Sequence, residues 1–144
     1  MNEENYLKDR VDDQIKWYSD KSSTNKMLYH TCKISEIIIA AVIPFLTGIV
    51  DKFPDLKYLI GTLGVIIAIL AGLILIFKFQ EKWTQYRTTS ETLKHEKYLF
   101  LTRTGLYQGE NPFNLLVERV EFLISKENSN WSQYIIQTNK KSNH

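Results

Sequence analysis

Few residues of this 144-residue chain have the types and spacing that catalysis or metal binding requires. The three histidines, His30, His95 and His144, are dispersed, and none stands at a metal-ligand spacing from Cys32. The sequence has no glycine-rich phosphate loop, no nucleophile elbow and no carboxylate pair in a recognisable setting. We therefore expect neither an enzyme nor a metal or cofactor site.

A second group of residues has the chemistry to bind a ligand. Four aromatic side chains could stack on a nucleotide base: Trp17, Tyr18, Trp83 and Tyr86. Three charged side chains could recognise a phosphate or an acidic partner: Arg10, Arg87 and Glu91. Each group also has a structural interpretation, since aromatic residues mark a membrane interface or pack in a bundle and opposite charges pair along a helix. We favour the structural interpretation of both groups.

A long apolar run predicts the first of the helices that must position these residues. Residues 58–77 read YLIGTLGVIIAILAGLILIF and contain no charge, Asn, Gln, His or Pro. As a helix this run reaches about 30 Å, the thickness of the hydrocarbon core of a bilayer. An amphipathic helix of a soluble protein keeps a polar side for water, and a chain of this size is too small to surround a fully apolar helix. The run therefore predicts a transmembrane helix.

The preceding segment, ISEIIIAAVIPFLTGIV (residues 34–50), predicts a second span. It contains Glu36 and Pro44, so by itself it is also compatible with a re-entrant or interfacial segment. Tyr29 and Lys33 before it have the character of interfacial residues. The connector of residues 51–57 is short and carries Pro54, as expected of a turn at the water interface. Together the two spans predict an antiparallel hairpin.

The distribution of basic residues predicts the orientation. The connector carries Lys52 and Lys57, whereas the first 33 residues carry six Lys or Arg and the chain from Lys78 onward carries ten. Basic residues stay preferentially on the cytoplasmic side, so both termini should be cytoplasmic. The N-terminus is polar and acidic, without a cleavable signal peptide. The net charge of +2, with the two signs interspersed, does not suggest a nucleic-acid partner.

The remaining segments predict helices outside the membrane. Residues 80–104 contain no Gly or Pro, so this helix should continue straight from the second span until Gly105 ends it. Asn111 and Pro112 should begin a further helix, whose apolar face should dock on the N-terminal segment. That face is Phe113, Leu116, Val117, Val120, Leu123 and Ile124, and the N-terminal stripe is Tyr6, Leu7, Val11, Ile15 and Tyr18.

The expected fold is all-α, with an integral membrane helical hairpin of two transmembrane helices and a cytoplasmic helical bundle. The expected boundaries are a cytoplasmic N-terminal helical segment (1–33), transmembrane helix 1 (34–50), an external turn (51–57), transmembrane helix 2 (58–79), a cytoplasmic helix continuing from it (80–104), and a loop, helix and frayed tail (105–144).

Within the spans, two sets of residues are candidates for function. Glu36, Ala40, Ile43 and Thr47 share one side of the first helix and would line a conduit in an oligomer, although such a side also serves ordinary packing. Glu36 itself is either an interfacial residue beside Lys33 or part of a pore mouth.

Gly61, Gly64, Ala68 and Gly72 form a small-residue side of the second helix that permits close packing. We favour packing against the first span over packing between subunits. Pro44 is either a hinge or a static bend.

The flanking helices carry a pattern that resembles the SLATT family, small bacterial proteins with two transmembrane helices. The resemblance covers residues 4–131 and depends on the order of its elements around the two spans. Before the spans stand Tyr6, Arg10, Gln14, Trp17, Tyr18 and Lys21. After them stand Trp83, Tyr86, Arg87, Glu91, Leu93, Lys94, Glu96 and Phe100, and then Tyr107, Phe113, Arg119, Val120, Glu121, Glu127 and Trp131.

The resemblance implies a pore-forming effector, a homo-oligomer that permeabilises the bacterial inner membrane in antiviral defence or other conflict systems. It also implies a trigger that is supplied in trans, by a sensor or nucleotide-signalling partner, or that arises by self-association. The alternative is a membrane-anchored adaptor, whose spans only tether a cytoplasmic bundle that recruits another protein. In either case membrane lipid is the expected solvent of the two spans.

Overall fold

A computed structural model describes the backbone of residues 2–141 and the side chains of residues 2–126 and 129. Over these residues the chain is helical apart from short turns, and it contains no strand. Its elements are α1 (Glu3–Tyr6), a π-helical segment (Leu7–Asp12), α2 (Asp13–Ile49), α3 (Leu56–Phe77), α4 (Phe79–Leu101), a 3-10 turn (Gly105–Gln108) and α5 (Pro112–Lys141). The all-α fold is confirmed. The chain divides into a hairpin unit, residues 21–84, and a bundle unit, residues 1–20 with 85–144.

The hairpin unit contains two helices that are long and apolar enough to cross a membrane. A core helix of a soluble protein passes the same test of length and composition, but it is mostly buried. On each of these two helices, no residue of the most apolar stretch of eighteen residues is buried. Large side chains such as Phe45, Leu75 and Ile76 are 70–75% exposed. These surfaces therefore need an apolar solvent or a protein partner.

The two long helices of this unit pack side by side through one stripe each. Half-buried residues recur at helical spacing on α2, at Cys32, Glu36, Ile39, Ile43 and Leu46, and on α3, at Ile60, Leu63, Ile67, Leu70 and Ile74. Intervals of three and four residues keep each stripe on one side of its helix. α2 continues through Pro44 without interruption.

The helix that was expected to continue straight out of the second span is interrupted at Lys78. This residue adopts the left-handed conformation, with φ 48° and ψ 44°, and its N–H donates to the Ile74 carbonyl at 3.2 Å. α4 begins at the next residue, and the Phe77 and Phe79 rings stack across the break with centroids 5.5 Å apart. Left-handed residues are usually glycine, so Lys78 gave no sequence signal for a helix end.

The bundle unit has the core that the apolar stripes predicted. Val11, Leu93, Leu116 and Val120 are fully buried, and Tyr18 is 2% exposed. The predicted face of α5 and the predicted N-terminal stripe both contribute to this one cluster. The docking of α5 on the N-terminal segment is therefore confirmed.

The π-helical segment explains how the N-terminal stripe stays on one side. Tyr6 and Val11 are both buried, although residues five apart diverge on an α-helix. A π-turn closes between residues five apart, so it keeps these two side chains facing the same core. Asn2 caps the start of α1 by accepting from the Asn5 N–H at 2.8 Å.

The end of α4 differs from the expectation that Gly105 stops it. α4 ends at Leu101, and Arg103 takes the left-handed position with φ 52°. The Arg103 N–H donates to the Phe100 carbonyl and the Thr104 N–H to the Leu99 carbonyl, both at 3.1 Å, which is a Schellman arrangement. Gly105, with φ 62°, instead opens the 3-10 turn.

At the C-terminus the backbone of α5 is helical to Lys141, where we expected a frayed tail. The last three residues, and the side chains of Glu127 and Trp131 from the family pattern, lie outside the described residues.

Candidate functional site

The residues predicted to line a conduit are divided by the packing of the hairpin unit. Glu36 and Ile43 belong to the half-buried stripe of α2, while Ala40 and Thr47 are exposed beside it. Thr47 satisfies its hydroxyl by donating to the Ile43 carbonyl at 2.9 Å. The bulky exposed residues of this span, among them Ile34, Ile38 and Phe45, lie on the other side of the helix.

The small-residue side of α3 does not pack against the first span as we expected. A Cβ built on Gly61, Gly64 or Gly72 meets no atom within 4 Å, and Ala68 is exposed. Large aliphatic residues make the contact with α2 instead, because they bury more surface than glycine. The small-residue side is open in the protomer, so it is available for a second copy or for lipid.

Helical geometry brings the two sets of residues to one side of the hairpin. Lys33, Ala40 and Thr47 lie about a quarter of a turn beyond the half-buried stripe of α2, counted along the chain. Gly61, Gly64 and Ala68 lie about a third of a turn beyond the stripe of α3, in the same sense. The two helices run in opposite directions and contact each other through opposite sides, so both rotations lead to the same face.

We call this surface the small-polar face. It comprises Lys33, Ala40, Thr47, Gly61, Gly64 and Ala68, and Glu36 borders it from the half-buried stripe of α2; Gly72 lies nearly opposite the contact between the two helices.

In the bundle unit the predicted phosphate-binding candidate Arg10 is engaged in an ion pair. Its guanidinium donates from Nε to Glu121 Oε1 at 2.9 Å and from Nη2 to Glu121 Oε2 at 2.8 Å. Tyr6 donates its hydroxyl to the same Oε1 at 3.1 Å. The bonds from Arg10 hold the pKa of Glu121 below its ordinary value, and burial raises the pKa of Tyr6 to about 12. This pair fastens the N-terminal segment to α5.

A second cluster, centred on Glu96, was not expected from the sequence. The Glu96 side chain is only 4% exposed, yet it is charged and accepts from Arg119 Nε at 2.7 Å and from the Tyr107 hydroxyl at 2.5 Å. The hydrogen bonds from Arg119 hold the pKa of Glu96 below its ordinary value. Burial raises the pKa of Tyr107. The only sequence signal was the presence of all three residues in the family pattern.

The other charged candidates pair along one helix. Arg87 Nη2 and Lys94 Nζ each lie 3.0 Å from Glu91 Oε1, on the exposed surface of α4. This local pairing agrees with the structural interpretation and leaves these residues without a defined binding site.

Most of the aromatic candidates meet in the bundle unit. The Trp17 ring contacts Tyr18 and Tyr86 edge-on, with centroids 4.9 and 5.8 Å away. Beside them is an open cleft of about 320 Å³, and its lining residues are Arg10, Gln14, Trp17, Tyr18 and Ile124. The structure therefore brings together four residues of the family pattern that precede the first span.

Trp83 lies in the hairpin unit. Its carbonyl accepts from the Ser22 hydroxyl at 2.9 Å, and Lys26 Nζ lies 5.8 Å from the centre of its ring. The indole Nε1 is buried without a hydrogen-bond partner. This contact sets the register between α2 and the start of α4.

The fold and these sites define a class of protein: an all-helical chain with a helical bundle and two apolar helices suited to a membrane. Within the described part of the chain, no three His, Cys, Asp or Glu residues stand close enough to hold a metal ion. The chain belongs to the family described as protein of unknown function (DUF4231), which matches residues 13–113. No curated protein and no solved structure matches it.

Proposed function

We propose that this protein is a SLATT-type membrane effector, a homo-oligomer that forms a pore through the bacterial inner membrane. The observation that carries the proposal is the small-polar face, which leaves small and polar residues of both spans uncovered on one side of the hairpin. In lipid, small residues allow helices of neighbouring subunits to approach closely. Two helices cannot enclose a water-filled path, so a pore requires several copies.

The same proposal includes the cellular setting. The excess of Lys and Arg in both terminal segments over the connector supports cytoplasmic termini. The bundle unit would then lie in the cytoplasm, where a sensor or nucleotide-signalling partner could control assembly. The role in antiviral defence comes from the family resemblance.

Leakage from liposomes tests the proposed pore. The purified full-length protein is reconstituted with an entrapped dye, and we expect release that rises steeply with the protein-to-lipid ratio. Gly64→Leu should abolish release, because it places a large side chain on the small-polar face. Gly48→Leu is the matched control, since Gly48 is equally uncrowded but lies opposite the contact between α2 and α3. Liposomes that stay tight while cross-linking shows oligomers would contradict the pore.

The second candidate is a membrane-anchored adaptor, and one observation favours it. The open cleft beside Arg10, Trp17 and Tyr18 offers a partner protein an aromatic surface with a charged rim. In this case the spans would be only a tether. Replacing residues 34–77 by an unrelated transmembrane hairpin would preserve the cellular activity of an adaptor and abolish that of a pore.

A further inference from the structure

The register of the hairpin places two charged residues deep within the apolar region. Ser22 contacts the Trp83 carbonyl; Lys33 is eleven residues after Ser22, and Gly72 is eleven residues before Trp83. Counting from the turn gives the same result, because Lys33 and Gly72 are each sixteen residues from the helix ends at Ile49 and Leu56. Lys33 is therefore level with Gly72.

This level lies inside the apolar run of α3. Gly72 is five residues before Phe77, the last residue of the run, which corresponds to a depth of about 7.5 Å. Glu36 is about 4.5 Å deeper still. The residue level with Phe77 on the first helix is Leu28, so Lys33 and Glu36 lie in the stretch of α2 that is level with the apolar run of α3.

The two charges hold each other at this depth. Lys33 Nζ lies 3.0 Å from Glu36 Oε2, so the ammonium points along the helix toward the deeper residue rather than out to the interface. The side chains are 45% and 20% exposed in the protomer. Charges exposed to hydrocarbon are costly, and within membrane proteins they face a water-filled cavity or other protein.

The residues around the Lys33–Glu36 pair favour a water-filled space beside it over lipid. Lys33 is exposed beside the contact between α2 and α3, and nearer the turn the same face carries Gly61 and Gly64, where a Cβ meets no atom within 4 Å. Ala40 and Thr47 continue the same face with small side chains. The side of α2 that suits lipid, with Ile34, Ile38 and Phe45 55–70% exposed, is a different one, although Ile37 stands between Lys33 and Ala40. Open space beside a charged pair is what permeating ions and their water need.

We infer that Lys33 and Glu36 line the water-filled path of the assembled protein and interact with the ions that pass through it. This inference rests on the proposed pore. Each subunit contributes one positive and one negative group at the same depth. Neutralising one member of the pair therefore leaves a ring of the opposite sign, and such rings select ions by charge.

Reversal potentials in planar bilayers under a KCl gradient test this inference. Glu36→Gln should shift the potassium-to-chloride permeability ratio toward chloride, and Lys33→Gln should shift it toward potassium. A shift of about threefold in each direction is expected, because a unit charge at short range changes the concentration of a passing ion by about that factor even in water. The double variant should return to the wild-type ratio.

Glu81→Gln is the matched control, because Glu81 also pairs with a lysine three residues away, Lys78, at 3.7 Å, but lies beyond the apolar run. Glu81 lies outside the proposed water-filled path, so the permeability ratio should not change. If the wild type conducts and neither variant changes the ratio, the inference is overturned while the pore stands. If the wild type carries no current, the proposed pore fails and the inference with it.

If the Lys33 and Glu36 variants do not assemble, thiol modification of the wild-type protein tests the inference. Cys32, the one cysteine of the chain, is adjacent to Lys33 and one helical turn from Glu36. A charged, membrane-impermeant thiol reagent should modify Cys32 in the reconstituted oligomer and reduce its current. Because Cys32 also lies in the half-buried stripe that contacts α3, the reagent is applied as well to Ala40→Cys, whose position is exposed on the small-polar face. A channel that conducts while both thiols stay unmodified would overturn the inference.

Discussion

Arg119 holds Glu96 with two guanidinium nitrogens, Nε 2.7 Å from Oε2 and Nη2 2.5 Å from Oε1. The Glu96 side chain is 4% exposed. Arg10 makes the same bidentate contact with Glu121, whose side chain is 43% exposed. The bundle unit thus contains two ion pairs of the same chemistry whose carboxylates lie at different depths.

The first prediction compares the loss of the arginine from each pair. Arg119→Ala should lower the free energy of unfolding by about 3 kcal/mol, because it leaves a buried carboxylate without a charged partner. Arg10→Ala should cost only about 1 kcal/mol, since water can solvate Glu121. Denaturant unfolding of the full-length protein in detergent, followed by circular dichroism, measures both losses. Equal losses would contradict the assigned difference in depth.

The second prediction concerns acid. The arginine hydrogen bonds hold the pKa values of Glu96 and Glu121 below the ordinary 4.5, so the folded state binds fewer protons than the unfolded state near that pH. The stabilisation is therefore present above about pH 4.5 and is lost as the pH falls toward the folded-state values. We expect the unfolding temperature to fall in this range.

The combined variant Glu96→Gln/Glu121→Gln tests the acid prediction, because it should have a flatter dependence on pH below 4.5. Glu4→Gln, on the exposed surface of α1, is the control and should keep the wild-type slope. A double variant with an unchanged slope would mean that other groups cause the acid instability.

The third prediction concerns alkali. Burial raises the pKa of Tyr6 from 10.0 to about 12, so the folded state keeps its proton while the unfolded state loses it. This contribution is fully present below pH 10 and is lost as the pH rises to about 12. Tyr6→Phe should remove this part of the alkaline decline and cost about 1 kcal/mol at neutral pH through the lost hydrogen bond. Unfolding curves between neutral and alkaline pH measure both effects.

The fourth prediction concerns the helix break at Lys78. A left-handed residue other than glycine costs about 1 kcal/mol, so Lys78→Gly should be more stable than Lys78→Ala by about that amount. The alanine variant is the reference because it removes the same side-chain contacts and keeps the backbone penalty. Thermal unfolding in detergent gives the difference. An alanine variant as stable as the glycine variant would contradict the left-handed conformation.

The fifth prediction concerns assembly through the small-polar face. Gly64→Leu should shift the protein from oligomer to protomer in cross-linking and light scattering, while Gly48→Leu should not. Both positions have open space in the protomer, so the protomer should tolerate either leucine. Loss of assembly in both variants, or in neither, would contradict the role of this face.

Much of the fold could be predicted from apolar patterning. The run of residues 58–77 predicted a helix long and apolar enough to cross a membrane, and the stripes that include Val11 and Val120 predicted the packed faces of the bundle. Side-chain periodicity gives this information because it determines which side of a helix can be buried.

The structure differs from the sequence-based predictions where a residue adopts a backbone conformation or an environment that its type disfavours. Lys78 and Arg103 take left-handed conformations that usually need glycine. Glu96 is a buried charge, and its partner Arg119 is 23 residues away along the chain. No local sequence pattern therefore predicted this ion pair. The small-residue side of α3 does not face α2, because the packed side depends on the relative burial of neighbouring aliphatic residues such as Leu63.

The most direct test of this account asks whether α2 and α3 require lipid as their solvent. Membranes from cells that produce the full-length protein are washed with alkaline carbonate and sedimented. The account predicts that the protein stays in the membrane pellet and needs detergent for release. Recovery in the supernatant, as a monodisperse species without detergent, would contradict it.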